Sequence, residues 1–149
     1  MKNKNKRHAN NDWDSNEGWG FYKKPSKTKK LKKQLEELWK KVCLERDNYK
    51  CQYCNSTEDL QVHHIVSRKS LNTKFDIDNG ITLCRKCHTR ISLNPTAKME
   101  FTIWLIKKYG IERLENLQEK AKQIKQWKVS ELESEIDKLT KILKGGQSL

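Results

Sequence analysis

Cys51-Gln52-Tyr53-Cys54, then Leu60-Gln61-Val62-His63-His64-Ile65, then Asp78-Asn79-Gly80-Ile81-Thr82-Leu83-Cys84-Arg85-Lys86-Cys87-His88 make up the stretch that decides how this chain folds. Four of the five cysteines and three of the four histidines lie inside it. A Cys-x-x-Cys knuckle makes a tight turn that aims two sulfurs at one point, and four thiolates in tetrahedral array form a closed, structural zinc site. Cys51, Cys54, Cys84 and Cys87 are therefore the expected ligands of one structural Zn²⁺. The 29 residues between Cys54 and Cys84 exceed the interval of a typical zinc ribbon, so an insertion with the His63-His64 pair sits between the knuckles. A redox role for either knuckle is the weaker alternative, because two knuckles with histidines between them suit a metal better than a dithiol couple.

Leu60 to Val66 alternates and is rich in β-branched residues, which reads as a strand. Successive side chains of a strand face opposite sides. His63 and His64 should therefore do different jobs: one can hold a metal while the other meets a substrate. Histidine also has the ordinary pKa that suits a general base near neutrality. Tyr49 to Cys54 reads as a strand leading into the first knuckle, and Gly80 to Leu83 as a short apolar strand delivering the second. Ser67 to Asp78 is a polar loop with Arg68, Lys69 and Lys74. A helix is expected from Cys84 to about Leu93, ended by Asn94-Pro95, because a residue before proline disfavours helical backbone.

Outward from this module, Lys30 to about Asp47 shows an apolar face of Leu31, Leu35, Leu38 and Val42 at helical spacing. Cys43 on that helix is expected to be a small buried core residue. Toward the C-terminus, Met99, Ile103, Trp104 and Ile106 suggest one buried helical face, with Gly110 as its stop. Ile111, Leu114, Leu117, Ala121 and Ile124 suggest a second. Leu132, Ile136, Leu139 and Leu143 suggest a third, behind a capping box at Ser130-Glu133. This last stripe is a candidate for pairing between copies, a homodimer through C-terminal helices, although about two heptads is short for a coiled coil.

Residues 1–29 read as a disordered basic tail with few aliphatic residues. Its Trp13, Trp19, Phe21 and Tyr22 could stack on bases or dock on the folded body. The whole chain of 149 residues is 34% hydrophobic and 34% charged, with a formal net charge of +13. So small an apolar fraction argues against a large core and for a metal staple. The charge points to a polyanionic partner, nucleic acid being the commonest. No apolar run approaches the roughly 18 residues that span a bilayer, and no secretory signal is visible. A cytoplasmic location with reduced thiols is the expectation.

Val62-His63-His64-Ile65, Asn79 and Cys84-x-x-Cys87-His88 resemble the HNH endonuclease motif, in the branch with an added four-cysteine zinc. The resemblance covers roughly residues 38–93 and implies an α+β, mostly helical chain. Its centre would be a ββα-metal finger, flanked by an N-terminal helix and a C-terminal helical extension. The implied domains are 30–94, the nuclease, and 95–149, the extension. By position, His63 and His88 correspond to ligands of the catalytic metal and His64 to the general base. Asn79 corresponds to the Asn that orients the base and fixes the loop. Some members add a third ligand one turn after the last His, where this chain has Ser92. Two protein ligands favour Mg²⁺ or Mn²⁺, with Ni²⁺, Co²⁺ and Zn²⁺ open. Arg68, Lys69, Arg85 and Lys86 are candidates for phosphate contacts, and equally for plain surface charge.

The segment Phe101-Thr102-Ile103-Trp104-Leu105-Ile106-Lys107-Lys108-Tyr109-Gly110, with Ile111-Glu112-Arg113-Leu114 and Lys125-Gln126-Trp127-Lys128-Val129, is similar to the tail of phage recombination proteins of the lambda NinG (Rap) type. That likeness implies a phage or prophage origin and action on branched DNA. The expectation is thus a metal-dependent DNA endonuclease with duplex or branched DNA as partner. The alternative is a non-catalytic, zinc-stabilised DNA-binding module. The His63, His64, Asn79 and His88 set argues against it, since a binding module needs no poised base beside a metal.

Overall fold

The computed structural model describes residues 25–146. The expected tail up to residue 24, with its four aromatic residues, lies outside the described residues. The elements in order are α1 (Lys27–Arg46), β1 (Leu60–His64), a 3-10 turn (Ile77–Asn79), β2 (Gly80–Cys84), α2 (Arg85–Leu93), α3 (Pro95–Tyr109), α4 (Ile111–Lys122) and α5 (Val129–Gly145). Among the described residues the fold is mostly helical, with one two-stranded antiparallel sheet. No helix among them is long and apolar enough to cross a membrane.

α1 starts three residues before the expected Lys30. The Ser26 side chain accepts a hydrogen bond from the Lys29 amide at 3.3 Å, satisfying a free donor of the first turn. Leu35, Trp39, Val42 and Cys43 are buried on its inner face. Tyr49 to Cys54 forms turns where a strand was expected. Asn48 and Tyr49, at φ of 53° and 51°, curl the backbone sharply after the helix. One strand-like bond remains, from the Gln52 amide to the Thr82 carbonyl at 2.9 Å.

β1 and β2 pair from Leu60 opposite Cys84 to His64 opposite Gly80, with His63 opposite Ile81. This hairpin is a wall between two apolar cores. On one side Leu35, Trp39, Val42 and Cys43 of α1 gather with Phe75 and with Leu132, Ile136 and Leu139 of α5, and Val62 packs against them. On the other side Ile81, Leu83, Cys51 and Cys84 gather with Ile91 of α2 and with Phe101 and Leu105 of α3. The period of two turns Val62 toward the first core and Ile81 and Leu83 toward the second, while Leu60 and Cys84, at the strand ends, join the second core. Both cores draw on residues beyond 95, so the C-terminal extension packs into the same body as the hairpin.

The helical extension departs from the expected faces in three places. α3 buries Ala97, Phe101 and Leu105, while Met99 and Ile103 are 68% and 48% exposed. α4 ends at Lys122 with Leu117 buried, leaving Ile124 almost wholly exposed. α5 begins at Val129, and the Lys128 amide donates to Glu131 Oε2 at 2.8 Å, so the N-terminal cap sits two residues before the expected Ser130-Glu133 box. The α5 stripe is covered by α1 within the chain. A dimer through the C-terminal helices would have to use a different surface.

Candidate active site

The knuckles come together because each is shaped by its own backbone. The Cys54 amide donates to Cys51 Sγ and the Cys87 amide to Cys84 Sγ, both at 3.5 Å. Cys84 is also the residue that caps α2, so the second knuckle is the first turn of a helix. The sulfurs of Cys51, Cys54, Cys84 and Cys87 all lie within 4.8 Å of one another. Tetrahedral zinc with Zn–S bonds of about 2.3 Å requires sulfurs about 3.8 Å apart, and Cys54 and Cys84 stand 3.6 Å apart. Burial pushes the Cys87 thiol up, and its hydrogen bonds with the Cys54 and Cys84 sulfurs add to that. Four thiolates at this spacing repel one another unless a cation lies among them, and a coordinated cation removes the protons outright. The donor set and its geometry fit a structural zinc.

His63 and His88 meet on the α2–α3 side of the hairpin. Their ring centroids are 5.1 Å apart at 78°. Phe101 of α3 closes over the His63 ring edge-on at 5.9 Å. Burial, reinforced by the neighbouring His88 and His64, brings the His63 pKa down to about 4. The ring is therefore neutral at pH 7 and has a lone pair to offer a metal. Ser92, one turn beyond His88, is exposed. Among the described residues the four cysteines are the one group of three or more His, Cys, Asp or Glu with converging ligand atoms. The His63–His88 pair can offer two imidazole nitrogens to a divalent ion.

His64 is on the opposite face of the strand. Its ring lies flat on the Trp39 indole, 4.3 Å between centroids and 19° between planes. His64 Nε2 is 3.0 Å from the Lys74 carbonyl oxygen. A carbonyl only accepts, so Nε2 carries the proton, and the neutral ring keeps its lone pair on Nδ1. Burial lowers the His64 pKa, and the bond to Lys74 opposes that.

Asn79 is fully buried at the end of the 3-10 turn. Its Oδ1 accepts from the Val66 amide at 2.6 Å, and its Nδ2 donates to the Val66 and Thr73 carbonyls, both at 3.0 Å. The Asn79 carbonyl accepts from the Ile65 amide at 2.9 Å. This one side chain closes the loop between β1 and β2. It reaches the His64 ring only indirectly, by fixing Thr73 beside the Lys74 carbonyl. Arg68, Lys69, Arg85 and Lys86 are exposed, and among the described residues none of the four enters an ion pair.

Trp39 and the Lys74 carbonyl, which hold His64, were not among the expected site residues. Nothing local marks them: Trp39 is 25 positions from His64 and reads as ordinary helix core. A cleft of about 880 Å³ lined by the 72–78 loop, the α4–α5 connection and α5 holds none of these histidines.

No curated protein and no solved structure matches the chain. Residues 51–92, which contain both knuckles, the histidine pair, Asn79 and His88, match the family model of the HNH endonuclease.

Proposed function

We propose that this chain is a metal-dependent HNH DNA endonuclease that hydrolyses phosphodiester bonds. The observation that carries the reading is the division of labour among three imidazoles. Two meet around a point that a divalent ion can fill, and the third is held separately with a free Nδ1.

In this reading His63 and His88 hold Mg²⁺ or Mn²⁺, and the ion supplies a Lewis acid for the charge that develops on the scissile phosphate. His64 Nδ1 takes a proton from water as the water oxygen bonds to phosphorus. The bond from phosphorus to the 3′ oxygen breaks and the departing oxygen takes a proton from solvent water, leaving a 5′-phosphate and a 3′-hydroxyl, the ends the HNH resemblance implies. The resulting imidazolium returns its proton to solvent. Asn79 keeps the loop in place, and the four-cysteine zinc holds the hairpin against α2 without taking part in the chemistry. The exposed Arg68, Lys69, Arg85 and Lys86 supply phosphate contacts. Residues 30–94 are the ββα-metal nuclease, and the C-terminal extension over 95–149 braces it through α3 and α5. The NinG-like helical segment supports a phage or prophage origin and a recombination role on branched DNA.

The test is cleavage of supercoiled plasmid and of a synthetic four-way junction by zinc-loaded protein with Mg²⁺, Mn²⁺, Ni²⁺ or EDTA. Cutting of the junction alone selects recombination, and cutting of both selects a general nuclease. His64→Ala should lower cleavage about 10²- to 10⁴-fold, with DNA binding and zinc content unchanged. Unaltered turnover in that variant removes His64 as the base. No cutting with any metal would leave a zinc-stabilised DNA-binding module.

A further inference from the structure

We infer that α1 is the seat of the reactive ring, with Trp39 a positioning residue for His64 and the Glu36–Lys74 pair holding the carbonyl that fixes its tautomer. This rests on the nuclease reading above and gives a role to Trp39 and Glu36, which lie outside the matched segment of residues 51–92.

A ring has two orientations to fix: its plane, and its rotation within that plane. Trp39 fixes the first by lying 4.3 Å from the His64 ring at 19°. The Lys74 carbonyl fixes the second by binding Nε2 at 3.0 Å. Each of these partners is itself immobilised. Trp39 is fully buried, and its Nε1 donates to the Asp76 carbonyl at 2.8 Å. Gly80, the β2 residue opposite His64, lets the indole come so near that an added Cβ would lie 2.8 Å from Trp39 Cζ2. Lys74 is anchored by its Nζ, 3.3 Å from Glu36 Oε2, and that ammonium also sits over the Phe75 ring at 5.1 Å. Glu36 is one turn before Trp39, so a single helical face supplies both the plate under the ring and the anchor of its hydrogen-bond acceptor.

A core tryptophan that only filled space would be satisfied by any apolar neighbour. Here its flat face meets an imidazole, and its polar edge is tied to the same loop that binds the imidazole. Misplacing a reacting group by about 1 Å can cost about 10²-fold in rate. Trp39 therefore acts on the chemical step through His64, without touching DNA.

The experiment combines ring NMR with steady-state cleavage. In the wild-type chain the His64 ring protons should be shifted upfield by the indole ring current, and Trp39→Leu should abolish that shift. Trp39→Leu should lower kcat about 10- to 100-fold with KM nearly unchanged, at full zinc content and native circular dichroism. Trp39→Phe keeps a flat face and should restore most of kcat. Glu36→Gln weakens the anchor, together with the outer pair of Glu36 with Lys40, and should lower kcat about threefold by the same misplacement argument. Lys40→Gln, which loosens the outer pair alone, should leave kcat unchanged. Glu36→Gln remains informative if Trp39→Leu fails to fold. A folded Trp39→Leu with wild-type kcat, equal losses in the Leu and Phe variants, or an unchanged Glu36→Gln overturns the seat. An unshifted His64 ring in a chain that cuts overturns the seat and leaves the nuclease reading standing. A wild-type chain that cuts nothing overturns both the nuclease reading and this catalytic role, whatever the ring shift shows.

Discussion

The two faces of the β1–β2 hairpin hold adjacent histidines by different means. On the α2–α3 face, His63 meets His88, and the four-cysteine cage stands at the far end of the same strands. Most of these partners come from residues 51–92 and arrive through short-range turns. On the α1 face, His64 is gripped by Trp39 and by the Lys74 carbonyl, and behind them lies a core shared with α5. One face is assembled by donor atoms that a metal can draw together. The other is assembled by close packing between helices nearly a hundred residues apart in sequence. The first should answer to metal removal, the second to changes of volume.

The largest effect should follow from Cys84→Ser. Cys84 is a cage sulfur, the acceptor for the Cys87 amide and the cap of α2 at once. Serine can still cap a helix, so the change isolates the loss of a thiolate. Structural zinc binding contributes about 10 kcal/mol or more of folding free energy, comparable with the roughly 5–15 kcal/mol by which whole domains are stable. Zinc content measured by atomic absorption should fall below one per chain, and the cooperative thermal transition should be lost. A folded, zinc-free, active Cys84→Ser protein would show that the α2–α3 face does not depend on its cage.

Gly80→Ala probes the other face with a smaller change. The new methyl would meet the Cys43 sulfur and approach Trp39 Cζ2 to 2.8 Å. Overpacking of this kind costs about 1–3 kcal/mol, readable as a lower urea midpoint, with zinc content unaltered. Gly80 has φ of −100°, a backbone angle any residue adopts, so the penalty would be steric. Adding Cys43→Ala should recover part of the loss, since the two groups share one space. A wild-type midpoint for Gly80→Ala would mean that α1 lies farther from β2 than this packing requires.

The same contrast explains what could be read from the sequence. Cysteine spacing, the His-His pair, and the runs Leu60 to Val66 and Gly80 to Leu83 express short-range constraints, and they located the cage and both strands. The Leu132, Ile136 and Leu139 stripe was legible as a buried face because polar residues flank it. Its partner, α1, was not, because amphipathicity shows that a face is covered without showing by what. Trp39 was hidden for that reason. Tyr49 to Cys54 reads as a strand because aromatic residues carry strand propensity, whereas left-handed backbone at Tyr49 is imposed by the chain reversal after α1.

The smallest expected effects are at two exposed positions of α3, and they discriminate only beside a buried one. Its sequence is apolar on several sides, so periodicity allowed a face through Met99 and Ile103 as readily as one through Ala97, Phe101 and Leu105. Tertiary contact decided the matter: Phe101 meets Tyr53 of the first knuckle edge-on at 5.6 Å and the His63 ring at 5.9 Å. Met99→Lys and Ile103→Lys should therefore each shift stability by no more than about 0.5 kcal/mol, the usual range for surface substitutions. Phe101→Ala should cost about 3–5 kcal/mol, as for other buried aromatic truncations. The three urea midpoints measured side by side decide which face of α3 lies against the knuckle and the His63 ring. A large loss at Ile103 with a small one at Phe101 would rotate α3 by more than a quarter turn and take away the lid over His63.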